Sequence, residues 1–396
     1  MILEQARATL AAVFAPLPID RFFDELMGKA LFDLSGDHDH VRRHLFGADP
    51  ARTILQSFAT HGERIVWHAE APSGPPPAAA ASIDSPAAFQ ARIGALHERG
   101  YTVRVPDVIA LSPALHQFTR ALEFMLHQPV KASLFWSAAD ARAPVHYDDN
   151  DNIVIQLTGR KRWFVSSAPS DLHNPWRDVA EAQPALGDHH VFDLGPGDLL
   201  YVPRGTPHTV QSQSESLHLA IIFTPVTLRD VIIAALDHLS DHDRALREGA
   251  LGRIDADIDR NALARDMAAA LERLLPAVRS HEFVDAALQR RSSRMIGNMA
   301  RLVGTEPPAA LSAASLVRHS PLAMCYMLAT PATIDFCQPG DHINIHRGVE
   351  AALRFVSTTP SFRIADLPGE MPDEIRVALV ARLVRSGFLE CPAAGG

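Results

Sequence analysis

Residues 144–163 read PVHYDDNDNIVIQLTGRKRW, and how this stretch is read decides the fold. Asn152–Leu157 is a short apolar, β-branched run. Thr158-Gly159 supplies a turn, and Lys161–Val165 starts a second run, so the stretch is a hairpin. Just before it, His146 and Asp148 stand two apart at a strand start. Side chains at i and i+2 share one face of a strand, so an imidazole and a carboxylate converge on one point. Residues 194–208, LGPGDLLYVPRGTPH, add a Pro196-Gly197 turn, a strand over Asp198–Val202 and His208 in a proline-stiffened turn. Two neutral imidazoles and one carboxylate on one face leave metal positions open, the facial-triad donor set of non-haem Fe(II). His-x-Asp alone recurs by chance as strand-end polar residues bonded to backbone. Its pairing with a Pro-flanked histidine specifies a metal.

Lys161 shares parity with Trp163 and Val165, which points its ammonium the way of residues that should be buried. It is one of only three lysines, with Lys29 and Lys131. A lysine on an Arg160-Lys161-Arg162 run is ordinarily a surface residue. Beside the two histidine motifs a pocket is the better reading, and a buried lysine then needs an anionic partner such as a dicarboxylate co-substrate.

Working outward, residues 106–226 carry the period of strands, with turn signals every ten or so residues and a nearly continuous apolar run at Leu217–Phe223, the pattern of a β-sandwich or barrel. Residues 1–105 alternate helical patterns with breakers. They include a helix up to Phe14, a second over Asp20–Lys29, and a Pro/Ala loop from Gly74 to Ala81. From 227 to 303 the period is helical. Leu263, Met267, Leu271, Leu274 and Leu275 form one stripe, and a long helix runs from Phe283 to Val303. In 304–396 a helix with Ile375, Ala378, Leu379 and Leu383 on one face ends at Gly387 before Phe388-Leu389, which suggests a small winged-helix-like module.

The composition sets outer bounds. At 396 residues, 47% hydrophobic and 21% charged, the chain can build a sizeable core in two or three domains. The net charge of −9 disfavours nucleic acid and favours a basic protein partner. Cys325, Cys337 and Cys391 make neither a disulfide framework nor a zinc ribbon. No apolar run is long enough for a membrane span and the first residues do not read as a signal peptide, so the expected location is the cytoplasm.

The segments His146–Trp163, Leu194–His208 and Ser216-Leu217-His218-Leu219 together resemble the JmjC/cupin-type ribosomal oxygenases, and Phe22–Lys29 resembles that family's N-terminal motif. The resemblance implies an α+β chain: a double-stranded β-helix (the JmjC/cupin jelly roll) over 106–226, flanked by the N-terminal helices of 1–105. It also implies a helical dimerisation region over 227–303, hence a homodimer, and a winged-helix-like domain over 304–396. It implies Fe(II) and 2-oxoglutarate as cofactors, and hydroxylation of a side chain in a protein or peptide, either a ribosomal protein or a natural-product precursor. His146, Asp148 and His208 would hold iron, and Lys161 would pair with the far carboxylate of 2-oxoglutarate. Ser216 falls where the family keeps a small polar residue near the cofactor. Ser133-Leu134-Phe135 replaces the family's Asn-x-Tyr, so Ser133 takes a cofactor-side position while Phe135 has no hydrogen to donate.

Two other outcomes stay open: a non-catalytic binding module on the same barrel, and removal of N-methyl groups by the same chemistry. Asp37-His38-Asp39-His40 is read as a solvated loop beside Arg42 and Arg43, and His218 as a hydrogen-bonded core histidine. Asp149 and Asp151 read as solvated turn carboxylates, with contact to a basic substrate at the rim as the alternative.

Overall fold

The computed structural model describes residues 3–36, 40–77, 82–168, 184–249 and 258–392. Residues 37–39 of the Asp-His-Asp-His stretch and 78–81 of the Pro/Ala loop lie outside the described residues. The chain divides into two compact units, Met1–Pro225 and Val226–Gly396.

The first unit is built on two antiparallel sheets. The larger has seven strands: β1 (Phe32–Leu34), β2 (Val66–His68), β3 (Thr102–Val105), β4 (Lys131–Ser137), β5 (Asp151–Thr158), β8 (Leu199–Val202) and β10 (Ser216–Phe223). They lie in the order β1-β8-β5-β10-β4-β3-β2. The smaller sheet holds β6 (Lys161–Ser166), β7 (His189–Leu194) and β9 (His208–Ser212), in the order β7-β6-β9. Strand β5 lies between β8 and β10 and is buried from Asp151 to Leu157, which explains its run of apolar residues without alternation. Val154, Leu200 and Val202 of the large sheet pack on Trp163, Val165 and Leu194 of the small one. The two sheets therefore close over one another as a β-sandwich of the jelly-roll kind.

The residues before 106 belong to this unit, because β1, β2 and β3 are strands of the same large sheet. Helix α1 (Leu3–Phe14) buries Ala6, Leu10, Val13 and Phe14 against the helix Pro113–Leu126, α2. Helix α2 starts where Ser112 accepts from the Leu115 amide and Pro113 takes the first turn. The helix expected over Asp20–Lys29 is different. A single turn, Ile19–Arg21, widens into a π-helical turn at Phe22–Leu26 and stops before Gly28. There Phe22 stacks on Phe14 at 4.5 Å and meets Tyr201 edge-on at 5.3 Å. Arg42, expected beside a solvated loop, is fully buried and donates to the carbonyls of Val13, Ala15 and Gly197.

The second unit opens with helices α3 (Leu228–His242), α4 (Arg260–Ala277) and α5 (His281–Met295). A capping box between Thr227 and Asp230 starts α3. The long helix expected to reach Val303 ends after Met295 in a tight turn, Ile296–Asn298. Gly297 lies so close to His342 that a Cβ would stand 2.9 Å from Nε2, so the next hairpin takes the place of further turns. Of the stripe expected on α4, Leu274 is buried, whereas Met267, Leu271 and Leu275 are 59%, 56% and 60% exposed.

Two three-stranded sheets follow: β12 (Tyr326–Ala329), β13 (Thr333–Gln338) and β14 (Asp341–His346) as a meander, and β11 (Leu316–His319) flanked by β15 (Ser361–Arg363) and β16 (Leu389–Glu390). Helices α6 (Glu350–Thr358) and α7 (Asp373–Arg385) complete a core around Val317, Phe336, Leu353, Val356 and Leu383. The buried face of α7 keeps the expected Leu379 and Leu383 and adds Val380, Ala381 and Val384, whereas the expected Ile375 and Ala378 are exposed. The true stripe steps by one and four, which the 3.6-residue period allows as readily as the expected spacing.

Candidate active site

Backbone pairing assembles the metal-type residues. His146 and His208 form an antiparallel bridge, in which His208 N donates to His146 O at 2.7 Å and His146 N to His208 O at 3.0 Å. Gly205 N donates to Asp148 O at 2.7 Å, so the turn before His208 is tied to the residue two beyond His146. Asp151 strengthens the tie. It is fully buried, accepts from the Arg204 amide at 3.0 Å and from the Tyr201 hydroxyl at 2.6 Å, and Tyr201 accepts in turn from Gly28 N. Asp151 is thus a buried structural anchor and not the solvated turn or rim carboxylate expected of it.

With the backbone fixed, ligand atoms of His146, Asp148 and His208 lie within 4.8 Å of one another. His146 Nδ1 bonds the Pro144 carbonyl and His208 Nδ1 that of Thr206, each at 2.9 Å. Both rings are then Nδ1–H tautomers whose Nε2 lone pairs are free for a metal. His208 Nε2 stands 3.8 Å from Asp148 Oδ2, and Asn152 Nδ2 orients that oxygen at 3.2 Å. Burial, then the neighbouring His146, holds the His208 imidazole below its ordinary range, which keeps it in the neutral form a metal needs. This donor set fits an octahedral Fe(II) with open positions.

The triad opens into a cavity of about 340 Å³ between the sheets, walled by Val66, Phe135, Trp163, Val210 and Ala220. Lys161 lines the same cavity and is 1% exposed. Gly159 places it there. The turn needs φ +67°, and a Cβ at 159 would run into the Glu215 carbonyl and stand 2.8 Å from Ser216 Cα. Lys161 Nζ donates to Ser137 Oγ at 2.8 Å, and Ser137 Oγ lies 2.9 Å from Thr102 Oγ1. Burial without a counter-charge pushes the amine down to about 7.

Residues 109–231 match the family model described as the JmjC domain. Over that stretch the chain is similar to JmjC domains. Among curated relatives, the chain is 25% identical over 238 residues to the bifunctional lysine-specific demethylase and histidyl-hydroxylase NO66 of Drosophila yakuba, which covers 55% of this chain and 32% of that protein. It is 30% identical over 202 residues to ribosomal oxygenase 2 of Rattus norvegicus, covering 46% of this chain and 43% of that one. The chain thus spans less than half the length of these relatives. Among solved structures, the fold matches Escherichia coli ycfD with a TM-score of 0.52 at 18% identity, over 94% of this chain and 98% of that one. A structure of the E. coli protein described as a ribosomal oxygenase in complex with cobalt and 2-oxoglutarate matches with a TM-score of 0.52 at 16% identity, covering 96% and 99%.

The cavity holds residues that sequence reasoning missed. Ser137 is the direct partner of Lys161, and it sits one alternation beyond Phe135 on β4, a spacing that could have flagged it. His68 and Arg104 also line the cavity, from β2 and β3. Burial, then His146, Lys161 and Arg104, push His68 down to about 4. Ser216 is fully buried and donates to Ser212, a cavity residue, at 3.3 Å. Ser133 accepts from Arg104 Nε at 3.1 Å. His218 is buried as expected but not bonded as expected, since its Nδ1 has no partner. Trp163 Nε1 and Asn152 Oδ1, in the same wall, are likewise unpartnered.

In the second unit Asp335, Cys337 and His342 also converge within 4.8 Å. There His342 Nδ1 is already satisfied by Asp335 at 3.1 Å, and burial, then the Asp335 charge, raises the Cys337 thiol away from the thiolate a metal would bind. Among the described residues, no helix is long and apolar enough to cross a membrane.

Proposed function

We propose that the protein is an Fe(II)/2-oxoglutarate-dependent oxygenase that hydroxylates a side chain of a protein or peptide. One observation carries the reading: a lysine with no counter-charge is sealed into the same cavity as a two-histidine, one-carboxylate triad. A cation buried alone is unfavourable, and a dicarboxylate that also reaches the metal satisfies it.

In this reading His146, Asp148 and His208 hold the metal through Nε2, a carboxylate oxygen and Nε2. Lys161 and Ser137 hold the far carboxylate of 2-oxoglutarate. Ser216 acts one contact back through Ser212, and Ser133 through Arg104. The bound metal and co-substrate supply dioxygen activation coupled to oxidative decarboxylation. The chain supplies orientation, and the apolar walls at Phe135, Trp163 and Val210 exclude water from the target carbon.

Hydroxylation is preferred to N-demethylation because of the cavity's charges. Among the described residues, Arg104 and Lys161 face a single lining carboxylate, Asp148, which in this reading holds the metal, so a methylammonium group would find no free anion among them. A basic substrate protein is favoured instead by the net charge of −9 over the whole chain, with contacts outside the cavity. Ribosomal proteins are the first substrates to try. The same acidity argues against nucleic acid as a partner.

The remaining parts follow from the second unit. The exposed α4 stripe of Met267, Leu271 and Leu275 suits a helical dimerisation surface covered by a second copy. The sheet β15-β11-β16 with α7 serves as a winged-helix-like domain. Three free cysteines suit a cytoplasmic protein.

The test is succinate formation by the purified chain with Fe(II), 2-oxoglutarate and dioxygen, with and without candidate proteins. Succinate together with a mass gain of one oxygen on a protein side chain is expected. Loss of a methyl group would favour demethylation, and absence of 2-oxoglutarate binding would favour a non-catalytic module.

A further inference from the structure

His218 stands in the cavity wall with its hydrogen-bonding capacity unused. The side chain is 3% exposed, it lines the cavity, and its Nδ1 is sealed from solvent without a partner. Neighbouring rings hold its plane. Its β10 residue pairs directly with Phe135 of β4, and the two rings lie 4.9 Å apart and 2° from parallel. Trp163 closes a second side edge-on at 5.5 Å. The register of β10 against β5 shifts between Leu217 and His218, an irregularity of the kind that re-aims a side chain.

A neutral imidazole must carry its proton on one nitrogen. An unpaired N–H in the interior is rarer and costlier than an unpaired lone pair. With Nδ1 sealed, the favoured tautomer leaves the lone pair there and places the proton on Nε2, the ring nitrogen left to face the cavity. Burial first, and then the neighbouring Lys161 and His68, hold the ring neutral. The wall therefore presents an N–H donor beside the Lys161 ammonium, and Phe135 between the β3 and β10 strands offers none.

We propose that His218 Nε2–H and Lys161 Nζ donate to the same carboxylate, the far one of the 2-oxo dicarboxylate, so that His218 is a co-substrate-binding residue. An ammonium and an N–H in one dry wall are both satisfied by a two-oxygen anion. This inference rests on the oxygenase reading above.

The test is calorimetric titration of the full chain loaded with Mn(II), using 2-oxoglutarate and, separately, oxalate, which has the chelating end and no distal arm. His218→Phe keeps the stacking ring and removes the donor. It should weaken 2-oxoglutarate binding about tenfold or more. Oxalate affinity, Mn(II) affinity and melting temperature should stay close to wild type. His218→Gln restores a donor and should recover part of the loss, which a purely structural role would not predict. It also serves as the second variant if the phenylalanine chain fails to fold. Equal 2-oxoglutarate affinity in wild type and in the folded variant overturns the proposal, and so does an equal loss for oxalate. A wild-type chain that binds Mn(II) and oxalate but not 2-oxoglutarate overturns the oxygenase reading itself, and this inference with it.

Discussion

His146 and His208 hold each other in place through main chain, each amide donating to the other's carbonyl, with ring centroids 4.4 Å apart. The ligand geometry is therefore built by strand pairing and does not depend on a metal for its assembly. Asp148 is tied to the same bridge through its own carbonyl, so its carboxylate can be removed without cutting a backbone bond. Asp148→Ala is accordingly expected to abolish Fe(II)-dependent succinate formation while its urea unfolding free energy stays within about 1 kcal/mol of wild type. Retained turnover would remove Asp148 from the ligand set. A variant that unfolds would mean the carboxylate holds the barrel rather than the metal.

The Lys161 amine gives a pH dependence with a definite sign. Its ordinary value of 10.5 is pushed down to about 7 by burial, so the unfolded chain holds more protons than the folded one between these values. Ligand-free stability from this group is full above the unfolded value and falls as the pH drops toward the folded one. A bound dianion requires the charged amine, so binding near pH 8 should take up roughly one proton and binding near pH 6 almost none. Titration of 2-oxoglutarate in buffers of different ionisation enthalpy measures this directly. Equal proton uptake at both pH values would place the carboxylate away from Lys161. Lys161→Met should raise the stability of the ligand-free protein by about 1–3 kcal/mol and abolish 2-oxoglutarate binding.

Legibility in the sequence followed how local the signal was. The strands β5 and β6, the His146/Asp148 parity and the burial of Lys161 could be read because strand alternation and a Thr-Gly turn act over a few residues, but the expected hairpin between the two strands does not form, since β5 pairs with β8 and β10 and β6 with β7 and β9. Arg104 and His68 could not, because their place in the cavity depends on β3 and β2 lying in sequence beyond β4 along one sheet edge. The role of Asp151 was hidden for the same reason, since its partners Tyr201 and Arg204, and Gly28 that bonds Tyr201 in turn, come from two distant segments. The buried face of α7 was read only in part, at Leu379 and Leu383, for a different cause. Apolar residues stand on both sides of that helix, and periodicity alone does not choose between them.

Gly159 is the turn on which the position of Lys161 depends. A side chain there meets two penalties, a positive φ of 67° and collision with the Glu215–Ser216 backbone. Gly159→Ala is expected to lose about 3 kcal/mol or more in urea unfolding, well beyond what a surface turn would show. A loss under about 1 kcal/mol would mean the β5–β6 turn can open without moving β10.

The α4 stripe makes the assembly state testable independently of chemistry. Met267, Leu271 and Leu275 recur at every fourth position, and more than half of each side chain is open in the isolated chain. Soluble single chains seldom leave such a row uncovered. Sedimentation of the wild-type chain is expected to give a dimer, and Leu271→Arg a monomer with an unchanged far-ultraviolet spectrum, because the residue contributes little to the core of its own unit. The cavity is lined wholly by the first unit, so the monomeric variant should keep its 2-oxoglutarate affinity. A wild-type monomer, or a variant that stays dimeric, would move the interface away from this helix.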